Sequence, residues 1–377
     1  LKITHVNFAR GFRGGERQTF NLVAGLHELG IEQTIVGRTG SELIRRCAAF
    51  DVRRMEIAHP LLGHFRGHAC DLLHVHEARG AYWAAIEHAL RNTPYLITRR
   101  VPNPIGKSLV TSYVYRNASG LCAVSQDVSR RLAGQTGRSV TTILSATSLH
   151  PVAADRVRQI RAALGGAPVI GHIGALCDHH KGQSVLIEAF HMLLRDYPDA
   201  RLLLVGEGPD RARFQHLANG DKRIVFAGFQ EQVGPWIAAM DVLAFPSREE
   251  GLGSSVLDAM AQGVPIVASA AGGLPELLAG DVRGLTVHDH APGSWHLALK
   301  RMLCDGDMRR RVIQAARQFA WTNGAASMTD QYLEIYARIL NGKGESHAIH
   351  REESRYAPIV HSAMTGDSGN GVANRSC

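Results

Sequence analysis

Residues Phe245–Gly273, FPSREEGLGSSVLDAMAQGVPIVASAAGG, carry the pattern that most limits the folds open to this chain. An apolar strand ends in Pro-Ser, a glycine-bearing loop follows, a short helix begins near Ser254, and a second apolar strand, VPIVAS, closes the unit. Two strands joined through a helix make a parallel βαβ crossover. The N–H groups of such a loop and the dipole of the helix behind it favour an anion such as phosphate. Two carboxylates, Glu250 and Asp258, flank that place. Ionised carboxylates only accept hydrogen bonds, so they suit a ligand rich in hydroxyls. A phosphate beside sugar hydroxyls is the make-up of a nucleotide-sugar.

The same rhythm runs through the chain. Strands are expected at KITHVNFA, EQTIVGR, DLLHVH, PYLITRR and GLCAVS in the first half. The first strand leads through the turn GFRGGE into a helix over roughly Arg17–Leu29, with Phe20, Val23, Leu26 and Leu29 on one stripe and Gly30 as its stop. The segment Thr142–Ala167 breaks the alternation with a strand end, a loop around Ser148–Pro151 and a basic helix. Strand patterns then resume at APVIGHIGAL, ARLLLVGEG, RIVFAGF, DVLAFPS, VPIVAS and GLTV, as continuous apolar runs suited to burial on both faces. The fold class expected is α/β, with two Rossmann-like doubly wound domains facing a central cleft. At 377 residues two domains are the natural division. We place them at 1–150 and 151–324, with a helix at about 325–341 packing back on the first and a disordered polar tail at 343–377.

Charge is unevenly spread. Residues 1–150 hold nineteen Lys and Arg against ten Asp and Glu, whereas the whole chain is only +8. A basic first half implies an anionic partner, such as a phosphorylated acceptor or a lipid headgroup surface, although solvated arginine faces would give the same count. Nothing resembles a nucleic-acid module. Six cysteines without a CxxC read as free thiols of a reducing compartment. No run has the ~20 apolar residues of a membrane span, and LKITHVNFAR reads as a strand without a cleavage pattern. The expected location is cytoplasmic, in peripheral contact with the anionic inner face of the membrane.

The motifs occur in an order that resembles the family-4 glycosyltransferases, retaining enzymes of the GT-B fold that use nucleotide-sugar donors. Gly14-Gly15 follow the first strand; GALCDHHKG carries Lys181-Gly182; LLLVGEGP, VFAGF, FPSREEGLG, Asp258-Ala-Met-Ala, GVPIVAS and GGLPE come after. The resemblance implies that Glu250 accepts from the donor-sugar hydroxyls and that Asp258, eight positions further on, accepts from the ribose. It implies that Lys181 stabilises the leaving diphosphate, and that the amides of Gly15, Gly251, Leu252 and Gly253 approach diphosphate and sugar. Backbone near Phe229 would hold the base. UDP, GDP and ADP donors all remain open, and neither cofactor nor metal is expected.

Two departures from that pattern stand out. Ala175 occupies a place where many relatives have Arg, and Asp258 is one methylene shorter than the usual Glu. In place of a histidine near the reacting centre, PYLITRRVPNP offers Arg99 and Arg100, which suit acidic groups and are poor bases. With His76 these are the candidate acceptor-binding residues. His74 and His76 share a strand face, but no third ligand for a metal is apparent. Asp305-Gly306-Asp307 reads as a turn. The expected activity is retaining sugar transfer to a hydroxyl of an anionic glycan or glycolipid in envelope, lipopolysaccharide-type biosynthesis. The alternatives are a glycan- or nucleotide-binding pseudoenzyme of the same fold and a nucleotide-sugar epimerase.

Overall fold

The computed structural model describes residues 1–59, 63–64, 69–148, 150–165 and 168–342; the tail at 343–377 lies outside them. Two parallel sheets organise the chain. The first runs β3(Arg53–Ile57), β2(Glu32–Arg38), β1(Lys2–Asn7), β4(Leu72–Val75), β5(Tyr95–Arg99), β6(Gly120–Ala123), β7(Thr141–Thr142) in spatial order. The second runs β10(Ile224–Gly228), β9(Arg201–Val205), β8(Val169–Ile173), β11(Val242–Phe245), β12(Ile266–Ser269), β13(Leu285–Val287). Every pair is parallel.

In each sheet the strand order reverses once, between β1 and β4 and between β8 and β11. At such a reversal the connections leave in opposite directions and open a crevice at the carboxyl ends of the two strands. The central strands are buried along their length, which is why they read as unbroken apolar runs. Two strands escape the sequence pattern. β3 reads RRMEI because it is an edge strand with alternate side chains in solvent, and β7 is only two residues long.

The first helix spans Gly14–Glu28, three residues earlier than the stripe suggests. Its buried face runs through Thr19, Leu22, Val23 and Leu26, while Leu29 is 42% exposed. The stripe is therefore centred on Leu22, because the sheet lies under that face. Gly30 ends the helix at φ 69°, as a stop residue should.

Helix Ala325–Asn341 crosses back to the first sheet. Its Tyr332 and Tyr336 are buried in a cluster with Ile3, Leu22, Leu26 and Leu96. Tyr336 Oη lies 2.6 Å from His74 Nδ1, and His74 Nε2 lies 2.8 Å from Thr98 Oγ1, so a polar network ties this helix to β4 and β5. The two units also meet directly. Val124 and Val128 join the apolar cluster of Leu252 and Leu274, Arg46 pairs with Glu231, and Asp127 N donates to Glu276 Oε1 at 3.1 Å.

Tyr336→Phe would strip His74 Nδ1 of its buried partner. We expect a loss of about 1–3 kcal/mol in a urea titration; unchanged stability would mean that the bond does not anchor the helix.

Candidate active site

The residues that follow the four strands at the two reversals converge. Gly14-Gly15 come after β1, His76 after β4, Lys181 after β8, and Glu250 to Gly253 after β11. All but Gly251 line one cleft of about 430 Å³ between the sheets. Gly15, His76, Arg99 and Arg100 form the first wall; Lys181, Glu250, Leu252 and Gly253 form the second. Gly251 sits against the first wall, where a Cβ would come within 2.2 Å of Arg100 O. A side chain there would hold the walls apart. Gly253 has φ 101° immediately before helix Ser254–Gln262, so glycine lets the loop turn the N-terminus of that helix into the cleft.

Lys181 Nζ donates to Glu250 Oε2 at 2.5 Å, and it lies 5.1 Å from the centre of the Phe245 ring. Sequence reasoning put each residue in the cleft but gave no sign that they bind one another. The pair is balanced in charge. Diphosphate oxygens offer the ammonium a second partner, and sugar hydroxyls can donate to the carboxylate in its place.

Asp258 is placed differently. It is buried within helix Ser254–Gln262 and does not line the cleft. Its Oδ1 accepts from Ser148 N at 2.9 Å, and its Oδ2 lies 3.0 Å from His150 Nε2. The linker between the units thus occupies the carboxylate expected at the ribose. Phe229, just past β10, is 71% exposed and also outside the cleft lining. Arg99 is buried and donates to Asn103 O at 2.6 Å, which holds its own loop. Asp305 caps helix Gly306–Thr322 by accepting from Met308 N, so the Asp-Gly-Asp segment is a helix start.

A third histidine corrects the expectation at His74 and His76. Register pairs His5 on β1 with His74 on β4. The three residues each offer a ring nitrogen within 4.8 Å of the others. The contact joins residues almost seventy positions apart, so only strand pairing reveals it. The nitrogens are already engaged: His5 with His76 and Gln33, and His74 with Tyr336 and Thr98. Arg100 Nη2 stands 3.3 Å from His76 Nδ1, an unfavourable neighbour for a cation. Burial pushes His5 down to about 4, and burial followed by the neighbouring histidine and arginine charges holds His74 and His76 well below the usual range.

Known proteins resemble the chain in sequence and in fold. The family model described as glycosyl transferases group 1 matches residues 167–305, the segment that supplies Lys181 and Glu250. The chain is a glycosyltransferase. It is 27% identical over 359 residues to the lipopolysaccharide core biosynthesis glycosyltransferase LpsE of Rhizobium meliloti (strain 1021), covering 89% of this chain and 99% of that protein. A D-inositol 3-phosphate glycosyltransferase of Corynebacterium glutamicum (strain R) is 34% identical, over 48% of this chain and 46% of its own length. Among solved structures, Anabaena HepE in complex with UDP and glucose superposes with a TM-score of 0.78 at 18% identity, covering 90% of this chain and 100% of that one. The outer core galactosyltransferase WaaB gives 0.66 at 14%, again over 90% and 100%. The glycosyltransferase thus has the GT-B fold. No helix among its described residues is long and apolar enough to cross a membrane.

The neutral histidines set a pH dependence. His5, His74, His76 and His172 are buried, and burial also pushes His172 down to about 4. Unfolding returns each to its ordinary value near 6.5. Below that value the unfolded chain binds more protons, so stability falls with pH until the folded rings also titrate. We expect losses of about 1.4 kcal/mol per pH unit for each ring still neutral, between pH 6.5 and about 4. Urea titrations across that range check this, and a flat profile would contradict the burial of uncharged rings.

Proposed function

We propose that this glycosyltransferase moves a sugar, with retention, from a nucleoside diphosphate to a hydroxyl of an anionic glycan or glycolipid. The observation that carries this reading is the Lys181–Glu250 pair, set beside the N-terminus of helix Ser254–Gln262 in a cleft walled by both units. The diphosphate lies against the helix end and Lys181, where oriented N–H groups and an ammonium stabilise the charge that grows on the leaving group. Glu250, freed from Lys181, accepts from the sugar hydroxyls and orients the anomeric carbon. Gly15 offers its amide from the opposite wall. The base rests near Phe229.

A front-face course is favoured by how the other carboxylates are used. Glu16 and Glu77 belong to the same cleft lining. Glu16 accepts from Arg13 N at 2.8 Å, and Glu77 accepts from Arg79 N and Gly80 N. Both are committed to helix starts, and neither is free to form a glycosyl ester. The departing phosphate oxygen then takes the proton of the acceptor hydroxyl as the new bond forms on the same face. Walls that meet at Gly251 exclude the water that would otherwise hydrolyse the donor. The residues assigned need no metal for this course.

UDP is the first nucleotide to test, since the Anabaena relative of this fold is described with UDP. For Asp258 a ribose role requires the linker contact at Ser148 to yield or to be bridged through water. The basic first half and the lipopolysaccharide core relative point to an envelope acceptor on an anionic surface at the cytoplasmic side.

The test is a thermal-shift panel of UDP, GDP, ADP and their sugars, followed by donor turnover. One nucleotide should raise the melting temperature by mass action. Glu250→Gln and Lys181→Ala should each lower turnover of its sugar by about 100-fold or more. No response to any nucleotide would overturn the donor reading, while binding without turnover would favour a pseudoenzyme.

A further inference from the structure

The first wall of the cleft carries a cation, Arg100, that pairs with no carboxylate among the described residues. Arg100 Nη2 donates to His76 Nδ1 at 3.3 Å, whereas its Nε and Nη1 are shielded and have no hydrogen-bond partner. Behind His76 the direction of every hydrogen bond follows from chemistry. Val23 O can only accept, so Gln33 turns its amide nitrogen to it at 3.0 Å and presents Oε1 to His5. His5 Nε2 therefore carries the proton, and His5 Nδ1 is left as an acceptor. His76 Nε2 donates to that acceptor at 3.0 Å, which leaves a lone pair on His76 Nδ1 facing the guanidinium. Two uncharged rings and an amide thus lead from the interior of the first unit to a single charge at the cleft.

Among the described residues no carboxylate bonds to it, and Glu16 acts on it only through its charge at longer range. Glu16 and Glu77 serve helix starts, and Glu250 holds Lys181. A partly buried cation with shielded, idle donors is costly unless a partner is brought to it. A protonated His76 would be a second cation and could not accept from Arg100, so the neutral relay keeps the guanidinium in place without adding charge.

We propose that Gln33, His5 and His76 position Arg100 as the cation of an anion subsite, which takes a carboxylate or phosphate group of the substrate. The proposal rests on the transferase reading above and deepens it, because it makes a negative charge on the bound substrate a condition of tight binding. Two sources offer that chemistry: the donor's diphosphate, or an acidic group on the acceptor. Arg100 touches the ligand; the other three residues act through it.

The experiment titrates the full chain with inorganic phosphate, read by thermal shift, with and without saturating UDP. Phosphate should stabilise the wild-type protein, and Arg100→Gln should weaken its midpoint at least about tenfold. His76→Leu should weaken it similarly, while His76→Asn, whose Oδ1 can accept in place of Nδ1, should stay within about threefold of wild type. Selective ¹⁵N labelling should find His5 and His76 neutral at pH 6, each with its proton on Nε2; a merely structural packing role would not dictate that tautomer. A phosphate response unchanged by UDP assigns the subsite to the acceptor, and one abolished by UDP assigns it to the donor diphosphate; either supports the subsite. Equal phosphate affinity in Arg100→Gln and wild type, no response in wild type, or charged rings at pH 6 would overturn it. A nucleotide response with no phosphate effect sinks this proposal and leaves the donor reading standing; a phosphate effect with no nucleotide response does the reverse.

Discussion

The site depends on one topological constraint: each parallel sheet reverses its strand order once. Loops after β1 and β4, and after β8 and β11, must diverge there, and the crevices so formed face each other. The first crevice contributes the glycine turn, His76 and Arg100; the second contributes Lys181, Glu250 and the helix at Ser254. The two reversals bring residues 15, 76, 181 and 250 into one cleft. Close contact of the walls then selects glycine at 251, where the carbonyl of Arg100 leaves no room for a Cβ.

Electrostatics in the cleft are arranged around self-cancellation. Lys181 and Glu250 neutralise each other, which lowers the cost of holding both partly shielded from water. A ligand with phosphates and hydroxyls offers each a replacement partner, so the exchange need not leave either charge bare. Arg100 is the exception, a guanidinium that among the described residues hydrogen-bonds only to a neutral ring. The two walls therefore differ in kind: one is balanced before the substrate arrives and the other is not.

Much of the fold was legible because buried parallel strands must be apolar throughout. The strands VIGHI, RLLLV, VLAF and IVAS are visible as runs, and the helix starts are visible from their glycines. The edge strand RRMEI was not, since solvent on one side permits charges that hide the pattern. At the site, Glu250 and Lys181 were readable from their motifs, but their ion pair was not, because they lie on loops after different strands. Asp258 shows the same limit: its motif suggests a ligand contact, and its side chain meets the linker at Ser148. The third histidine was invisible for a similar reason, as His5 reaches His74 only through the β1–β4 register.

By itself the sequence determined the α/β class, the two-unit rhythm, the glycosyltransferase motifs and the candidate donor residues. These are local features, set by periodicity and by short spacings along one strand, loop or helix. Tertiary structure alone decided which residues share a wall, which carboxylates are engaged and which cation bonds to no carboxylate. It made Arg100 the end of a relay from Gln33, and it turned Asp258 towards the linker. Those outcomes depend on contacts between distant segments, and the geometry of such contacts exists only once the sheets have formed and met.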